Sequence, residues 1–509
     1  MSDNVIEVKN ISKNFGGVKA LDKVNLEIRK GEIHCLVGEN GSGKSTLIKI
    51  ISGYYKPDEG ELVLGEHTFN QLSIYDSIQQ GIQVIYQDMS IFPNLTVAEN
   101  IAINDLLYNK RRIVSWKEVH RIAQTALSHI GVKLPLDAIV GTRSVADKQL
   151  IAIARSLLRN SKLIIMDEAT SALTRNEVNK LFSVIHQLKK EGISTLFVSH
   201  KLDEVFEIAD RFTVFRNGKK IITDEAKNID SHKFVYYMTG REIVEQPFVP
   251  KVVDQNSTIL RVEHLCLKNG FEDISFCIHP GEILGITGLL GSGRTELAKT
   301  LFGLSKPRSG KIFLEDHEIS LDNPMEALKH KIAYVPEDRL TEGLFLTQNI
   351  ESNMFAANID HLVSKRVIDF AKGRKNIEKW IRELDIKLRK MTDGILTLSG
   401  GNQQKVVLGK WLATEPKLLI LNGPTIGVDI GAKFDIHNYL RELAASQQYA
   451  IIIISDDLDE ILMNCNRIII IKNGRIVSEY ANTELTGARL QSLIMEKQEG
   501  ACDFTETEK

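Results

Sequence analysis

Cysteine is scarce in this chain: five among 509 residues. Cys35, Cys266, Cys277, Cys465 and Cys502 are scattered and form no CxxC pair. That argues against a zinc or iron–sulfur site and against a disulfide scaffold, and it fits a reducing, cytoplasmic compartment. Long apolar runs are missing too. Ala450 to Ile454 and Ile468 to Ile471 are too short to span a bilayer, and they read as buried strands of a parallel sheet. The opening MSDNVIEVKN has neither a basic lead nor an apolar core, so no signal peptide is expected. Nor does one sign of charge prevail. With 64 Lys and Arg against 66 Asp and Glu, the net charge is −2, which gives no electrostatic ground for nucleic acid or an anionic membrane as the main partner. Lys110-Arg111-Arg112 and Arg374-Lys375 read as solvated faces. Any membrane role must come through a partner.

What the chain does have is a repeat of itself. GENGSGKST from Gly38 returns as GLLGSGRTE from Gly288; VIYQD, with Gln87, returns as AYVPED, with Glu337; LIIMDE, with Asp167, returns as LLILNG, with Asn422. A repeat this long is two copies of a whole domain. The expected division is 1–243 for the first domain, 244–257 for a linker, 258–500 for the second domain and 501–509 for a tail. The linker carries Pro247 and Pro250 and is short, so the copies should pack together rather than roam. In each copy an apolar strand (Ile33 to Val37; Ile283 to Thr287) precedes the glycine-rich loop, and a helix starts near Lys44 or Arg294. Leu163 to Met166 and Thr195 to Ser199, like Leu418 to Leu421 and Ala450 to Ser455, read as buried strands with a helix between. That predicts a mainly parallel core sheet. Polar helical stretches near 97–130 and 350–384 predict a separate helical subdomain in each copy.

The first glycine-rich loop satisfies GxxxxGK[ST] through Gly38, Gly43, Lys44 and Ser45. Its glycines let backbone N–H groups turn inward around phosphate oxygens, and the helix start adds partial positive charge. Lys44 suits the β- and γ-phosphates and Ser45 a Mg2+ position. Asp167 and Glu168 end a strand, at the sheet edge where ligands sit in open α/β folds. Asp167 is suited to holding Mg2+ through water, and Glu168 to polarising an attacking water.

These residues resemble the ATP-binding cassette (ABC) ATPases, over nearly the whole chain and twice. The most diagnostic word is LSGGNQQ at Leu398 to Gln404, similar to the family signature. The resemblance implies an α/β fold of two tandem P-loop NTPase domains, each with a mainly parallel core sheet, an antiparallel β subdomain and a helical subdomain. It implies ATP and Mg2+ as ligands. It assigns Gln87 to the loop that senses metal and membrane partner, His200 to the switch histidine and Phe15 to adenine stacking. It makes Glu39, Asn40, Gly41, Ser42 and Thr46 part of the phosphate loop. Ser171 to Thr174 match the loop facing the partner copy. Two fused cassettes with GSGRTEL, YVPEDR and LSGGNQQK look like the ATPase subunits of bacterial monosaccharide importers, the ribose/galactose/xylose type.

In this family a nucleotide lies between two cassettes packed head to tail. The resemblance therefore builds site one from Gly38 to Thr46, Gln87, Asp167, Glu168 and His200, capped by Ser399, Gly400, Gly401 and Asn402 of the second copy. Site two would join Gly288, Gly293, Arg294, Thr295, Glu337, Asn422, Gly423 and Asp456 to Ser144 and its neighbours. Here the roles weaken. Arg294 is bulkier and planar. Asn422 lacks the carboxylate charge for Mg2+, Gly423 cannot polarise water, and Asp456 puts negative charge where an imidazole would face phosphate. Val145 and Ala146 replace signature glycines. Site one is expected to hydrolyse ATP and site two to be silent. The implied partners are two membrane permease subunits and an extracytoplasmic solute-binding protein, with the chain peripheral on the cytoplasmic face of the inner membrane. The competing reading is a soluble tandem-cassette ATPase acting on ribosomes, against which stand the short linker and the defective second site. DNA-repair cassettes carry zinc-binding cysteines, absent here, and a regulator without turnover would not need a complete first site.

Overall fold

Alternation along the opening strands builds an outer sheet in the first copy. On β1 (Asn4–Phe15) and β2 (Val18–Arg29), Val24, Leu26 and Ile28 are buried while Asn25, Glu27 and Arg29 face out. That is the period of an antiparallel ribbon with one wet face. The structure is a computed structural model and describes residues 3–86, 89–108, 114–158, 160–170, 173–199, 201–242, 257–289, 291–359, 363–364, 367–446 and 449–496. The chain divides into two units, Met1–Ile243 and Val244–Lys509.

In the first unit the fully buried β3 (Ile33–Val37) follows. Next come β4 (Glu59–Leu64) and β5 (His67–Phe69), which complete an antiparallel sheet of order β2-β1-β4-β5. The core strands are β6 (Ile82–Ile85), β7 (Leu163–Asp167), β8 (Ser194–Val198), β9 (Arg211–Arg216) and β10 (Lys219–Glu225). With β3 they form a six-stranded sheet of order β10-β9-β3-β8-β7-β6. All its pairings are parallel except β9 with β10. Continuous apolar strands of this kind must be covered on both faces. Their carboxyl ends share one edge, and the helix Lys44–Ile51 starts there. The expected helical subdomain consists of the helices Val97–Tyr108, Trp116–His129 and Val145–Leu157. Trp116–His129 buries Val119, Ile122, Ala123, Ala126 and Leu127, the stripe of an amphipathic helix.

The second unit repeats this plan. β11 (Leu260–Leu267), β12 (Phe271–Ile278), β14 (Ser309–Leu314) and β15 (His317–Ile319) make the antiparallel sheet, and β13 (Ile283–Thr287) enters the core. There it joins β16 (Ile332–Val335), β19 (Leu418–Asn422), β20 (Ala450–Ile454), β21 (Arg467–Lys472) and β22 (Arg475–Ala481), in the order β22-β21-β13-β20-β19-β16. One detail differs from the sequence reading and one from the first copy. The stretch read as helical at 350–384 contains a short strand pair, β17 (Val363–Ser364) with β18 (Val367–Ile368), between the helices Ile350–Phe355 and Phe370–Glu383. The first hairpin is also cut short. The path from Glu7 to Ala20 corresponds to that from Arg261 to Gly270, four residues fewer (20 − 7 against 270 − 261). The tip that carries Phe15 therefore has no counterpart.

Candidate nucleotide site

The first phosphate loop is shaped by what surrounds it. A Cβ on Gly38 would stand 2.2 Å from the Phe215 carbonyl oxygen, so no other residue fits there. Ser42 N donates to Glu39 O (3.1 Å), and Gly218 N, in the β9–β10 turn, donates to Ser42 O (3.1 Å). Gly43 (φ 102°) turns the chain into the helix at Lys44. Lys44 Nζ donates to Gly38 O (2.7 Å) and Glu39 O (3.0 Å) and is buried. Asn40, Gly41 and Ser45 are exposed, Glu39 and Thr46 half-buried. The result is a buried cation beneath a glycine-rich loop at a helix start, an arrangement that suits phosphate. Phe15, 40% exposed, lies 5.2 Å from the Tyr55 ring, with Lys13 Nζ over its face. That is an open aromatic platform.

Asp167 ends β7 in register with Val198, and Glu168 follows with its N–H donating to Val198 O (3.1 Å). Glu168 sits at φ 50°, in the left-handed region that non-glycine residues rarely adopt. Strain of that kind is held where the surroundings fix it, commonly at working sites. Burial and the neighbouring Glu168 push the Asp167 carboxyl above the usual range, against a pull from Lys44. Crowded carboxylates of this kind fit a divalent cation. Among the described residues no group of three or more His, Cys, Asp or Glu could hold a metal, so such an ion would rely on Asp167, Ser45 and nucleotide phosphates. Gln87 and His200 lie outside the described residues.

The second loop keeps the shape and changes the chemistry. A Cβ on Gly288 would meet Ile471 O at 2.2 Å, and Gly474 N donates to Ser292 O (2.9 Å). Gly293 opens the helix at Arg294. Arg294 Nη1 donates to Gly288 O (2.7 Å), as Lys44 does to Gly38, but its Nη2 also pairs with Asp456 Oδ2 (3.5 Å). Glu337 Oε2 accepts from Thr295 Oγ1 (3.5 Å) and Asn422 Nδ2 (3.4 Å). Gly423 stands at φ 60°, the conformation of Glu168, without the carboxylate. Thr295, Glu337 and Asn422 line an open cleft of about 380 Å3 together with Lys299, Arg339 and Glu342. Here the polar side chains pair with one another, Thr295 and Asn422 with Glu337 and Arg294 with Asp456.

The two signature regions are both helix starts. Ser144 accepts from Asp147 N (3.1 Å) and caps Val145–Leu157. Ser399 accepts from Asn402 Nδ2 (3.0 Å) and caps Gly400–Leu412. Asn402 Oδ1 accepts from Lys387 N (2.7 Å). The Asn402 amide thus holds Ser399 and the neighbouring loop. Gly401 is buried against the next helix, where a Cβ would meet Ala432 Cβ at 2.5 Å.

One feature escaped the sequence reading. Glu204 is buried and accepts from Thr170 Oγ1 and Ser199 Oγ (both 2.7 Å). Glu460 repeats the knot with Thr425 (2.6 Å) and Ser455, and adds His437 Nε2 at 2.8 Å. These partners hold the Glu460 carboxyl below its ordinary value although burial opposes them. The recurrence of Glu204 and Glu460 at matching places in the repeat is the signal that could have found it.

The ABC transporter family profile matches residues 21–171 and 271–426. The ribose import ATP-binding protein RbsA of Caldanaerobacter subterraneus subsp. tengcongensis is 40% identical over 483 residues, covering 95% of this chain and 97% of its own. The xylose import ATP-binding protein XylG of Thermoanaerobacter pseudethanolicus is 39% identical over 490 residues, 94% of this chain and 96% of its own. With two cassettes, a complete phosphate loop and an LSGGN signature, the chain belongs to the ABC transporter family of ATP-binding proteins.

Proposed function

We propose that the chain is the ATP-hydrolysing motor of an importer for a monosaccharide or related small solute, acting on a separate membrane permease. The observation that carries this is the end-to-end similarity to ribose and xylose import ATP-binding proteins, through both cassettes. The same similarity sets aside the ribosome-acting reading. No described helix is long and apolar enough to cross a membrane, so membrane association is assigned to two permease subunits, on the cytoplasmic face. A solute-binding protein outside would deliver the cargo. The domains are taken as 1–243 and 258–500, joined by 244–257.

Within this reading ATP and Mg2+ bind at the first phosphate loop. Lys44 and the loop amides hold the phosphates, Asp167 and Ser45 the metal, and Phe15 the adenine. Glu168 orients water, with Gln87 and His200 completing the site. Ser399, Gly400 and Gly401 provide donors on the far side of the transferring phosphoryl group, which one sheet edge cannot supply. The second site is catalytically silent. Support comes from Asn422, Gly423, the absent aromatic tip and the Arg294–Asp456 pair, which weaken it at every chemical role. The test is Glu168→Gln in the assembled transporter. Turnover should fall by about a hundredfold or more while nucleotide still binds; turnover near the wild-type rate would end the one-site account.

A further inference from the structure

The second copy carries Arg339 where the first carries Met89, directly after the paired words VIYQD and AYVPED. Arg339 Nη1 donates to Ile426 O (3.0 Å). Its Nη2 is so near the signature helix that a Cβ on Gly400 would stand 2.9 Å from it, and a Cβ on Gly427 would stand 3.1 Å from Nη1. One planar guanidinium thus lies against the first residue of the helix Gly400–Leu412 and against the loop after β19. The segment that carries it is clamped along the same helix. Arg339–Gly343 forms a single wide helical turn in which Glu342 N and Gly343 N both donate to Asp338 O (3.0 and 3.2 Å). Lys410 Nζ, buried, donates to Gly343 O (2.6 Å), and Asp338 fixes the turn's start through Leu340 N and Thr341 N.

The first copy lacks this device on both sides. Val145 stands in place of Gly400 and Met89 in place of Arg339, and there Arg155, on the helix itself, donates to the Met89 and Ser90 carbonyls. Cation and glycine are kept together in one copy and lost together in the other. A Cβ at position 400 would push the guanidinium out of its place, so the glycine and the cation go together. A guanidinium beside a helix start is electrostatically unfavourable on its own, so its place there asks for a return in function rather than in stability.

We propose that Arg339 is a positioning residue for ATP hydrolysis: it locks Ser399–Gly400 and Ile426–Gly427 into one rigid piece, so that the signature meets the γ-phosphate in a single geometry. The inference rests on the proposed pairing of that signature with the first phosphate loop. It also ties the loop bearing Glu337 to the cap, because Glu337 and Arg339 lie on one clamped segment. The lysine variant keeps the charge but loses the fork that reaches Gly400 and Ile426 at once.

The test uses the transporter assembled with its permease, with Arg339→Ala, Arg339→Met and Arg339→Lys. Misplacing a capping group by about an ångström costs up to roughly a hundredfold in rate, so kcat should fall about tenfold to a hundredfold for all three. The KM for ATP should stay within about threefold, because the front of the site is untouched. Added guanidinium ion should restore part of the Arg339→Ala rate. Ser399→Ala combined with Arg339→Ala should be no slower than Ser399→Ala alone. Turnover near wild type in Arg339→Ala and Arg339→Met would overturn the inference, and so would losses that multiply with Ser399→Ala. If Ser399→Ala itself turns over normally, the pairing fails instead.

Discussion

Lys44 and Arg294 are both cations at the head of a helix, and both donate to the carbonyl six residues back at 2.7 Å. Arg294 also pairs through Nη2 with Asp456 Oδ2 (3.5 Å). Asp456 is mostly exposed, so the pair is screened and worth about 0.5–1 kcal/mol. In a Lys44→Ala chain, Asp456→Asn should therefore strengthen binding of a fluorescent ATP analogue at the second loop by about two- to fivefold; unchanged binding would show that Asp456 does not compete with phosphate. On the proposed assignment of Asp167 to Mg2+, its carboxyl sets a pH dependence. Burial and Glu168 raise its carboxyl above the ordinary value. As pH falls the proton is therefore taken up earlier than on a free aspartate, and it competes with the cation. The Mg2+ concentration needed for half-maximal turnover should rise on the acid side, starting above the usual carboxylate range. Mg2+ titrations across a pH series check this; a flat requirement down to the ordinary aspartate value contradicts it.

Elements tell how far the sequence could be read. The core strands were legible because runs such as Ile33 to Val37 are apolar throughout and glycine punctuates their ends. Their limits moved by a residue where pairing decides: β7 reaches Asp167 because Asp167 still pairs with Val198, which polarity alone does not reveal. The phosphate loop was legible for a stronger reason. Gly38 faces Phe215 O at a distance no side chain tolerates, so its identity is forced. Gly38→Ala should lower stability by roughly 2–4 kcal/mol and abolish nucleotide binding, seen in thermal unfolding and analogue binding together; an unshifted transition with intact binding would refute the steric account. Contacts between distant segments were not legible. Nothing in local periodicity places Arg339 beside Gly400, Arg294 beside Asp456 or Thr170 beside Glu204. The missing aromatic tip of the second copy shows only once strand register fixes which residues correspond.

At the scale of the whole chain, the proposed pairing accounts for which motifs are lost and which are kept. The second copy has Asn422 and Gly423 in place of Asp167 and Glu168, Arg294 in place of Lys44 and no aromatic tip, yet keeps Ser399, Gly400 and Gly401, a helix start held by Asn402, Ala432 and Arg339. The first copy keeps every group of its phosphate site and lets its own signature drift to Ser144-Val145-Ala146. On the proposed pairing, each copy retains what the first site would take from it. The most direct measurement compares Ser399→Ala with Ser144→Ala, two serines that do the same local job of capping a helix. Each substitution should cost about 1 kcal/mol of helix stability. ATP turnover in the assembled transporter should fall by about tenfold or more for Ser399→Ala and stay near wild type for Ser144→Ala. Equal losses in the two variants, or a loss confined to Ser144→Ala, would contradict the account.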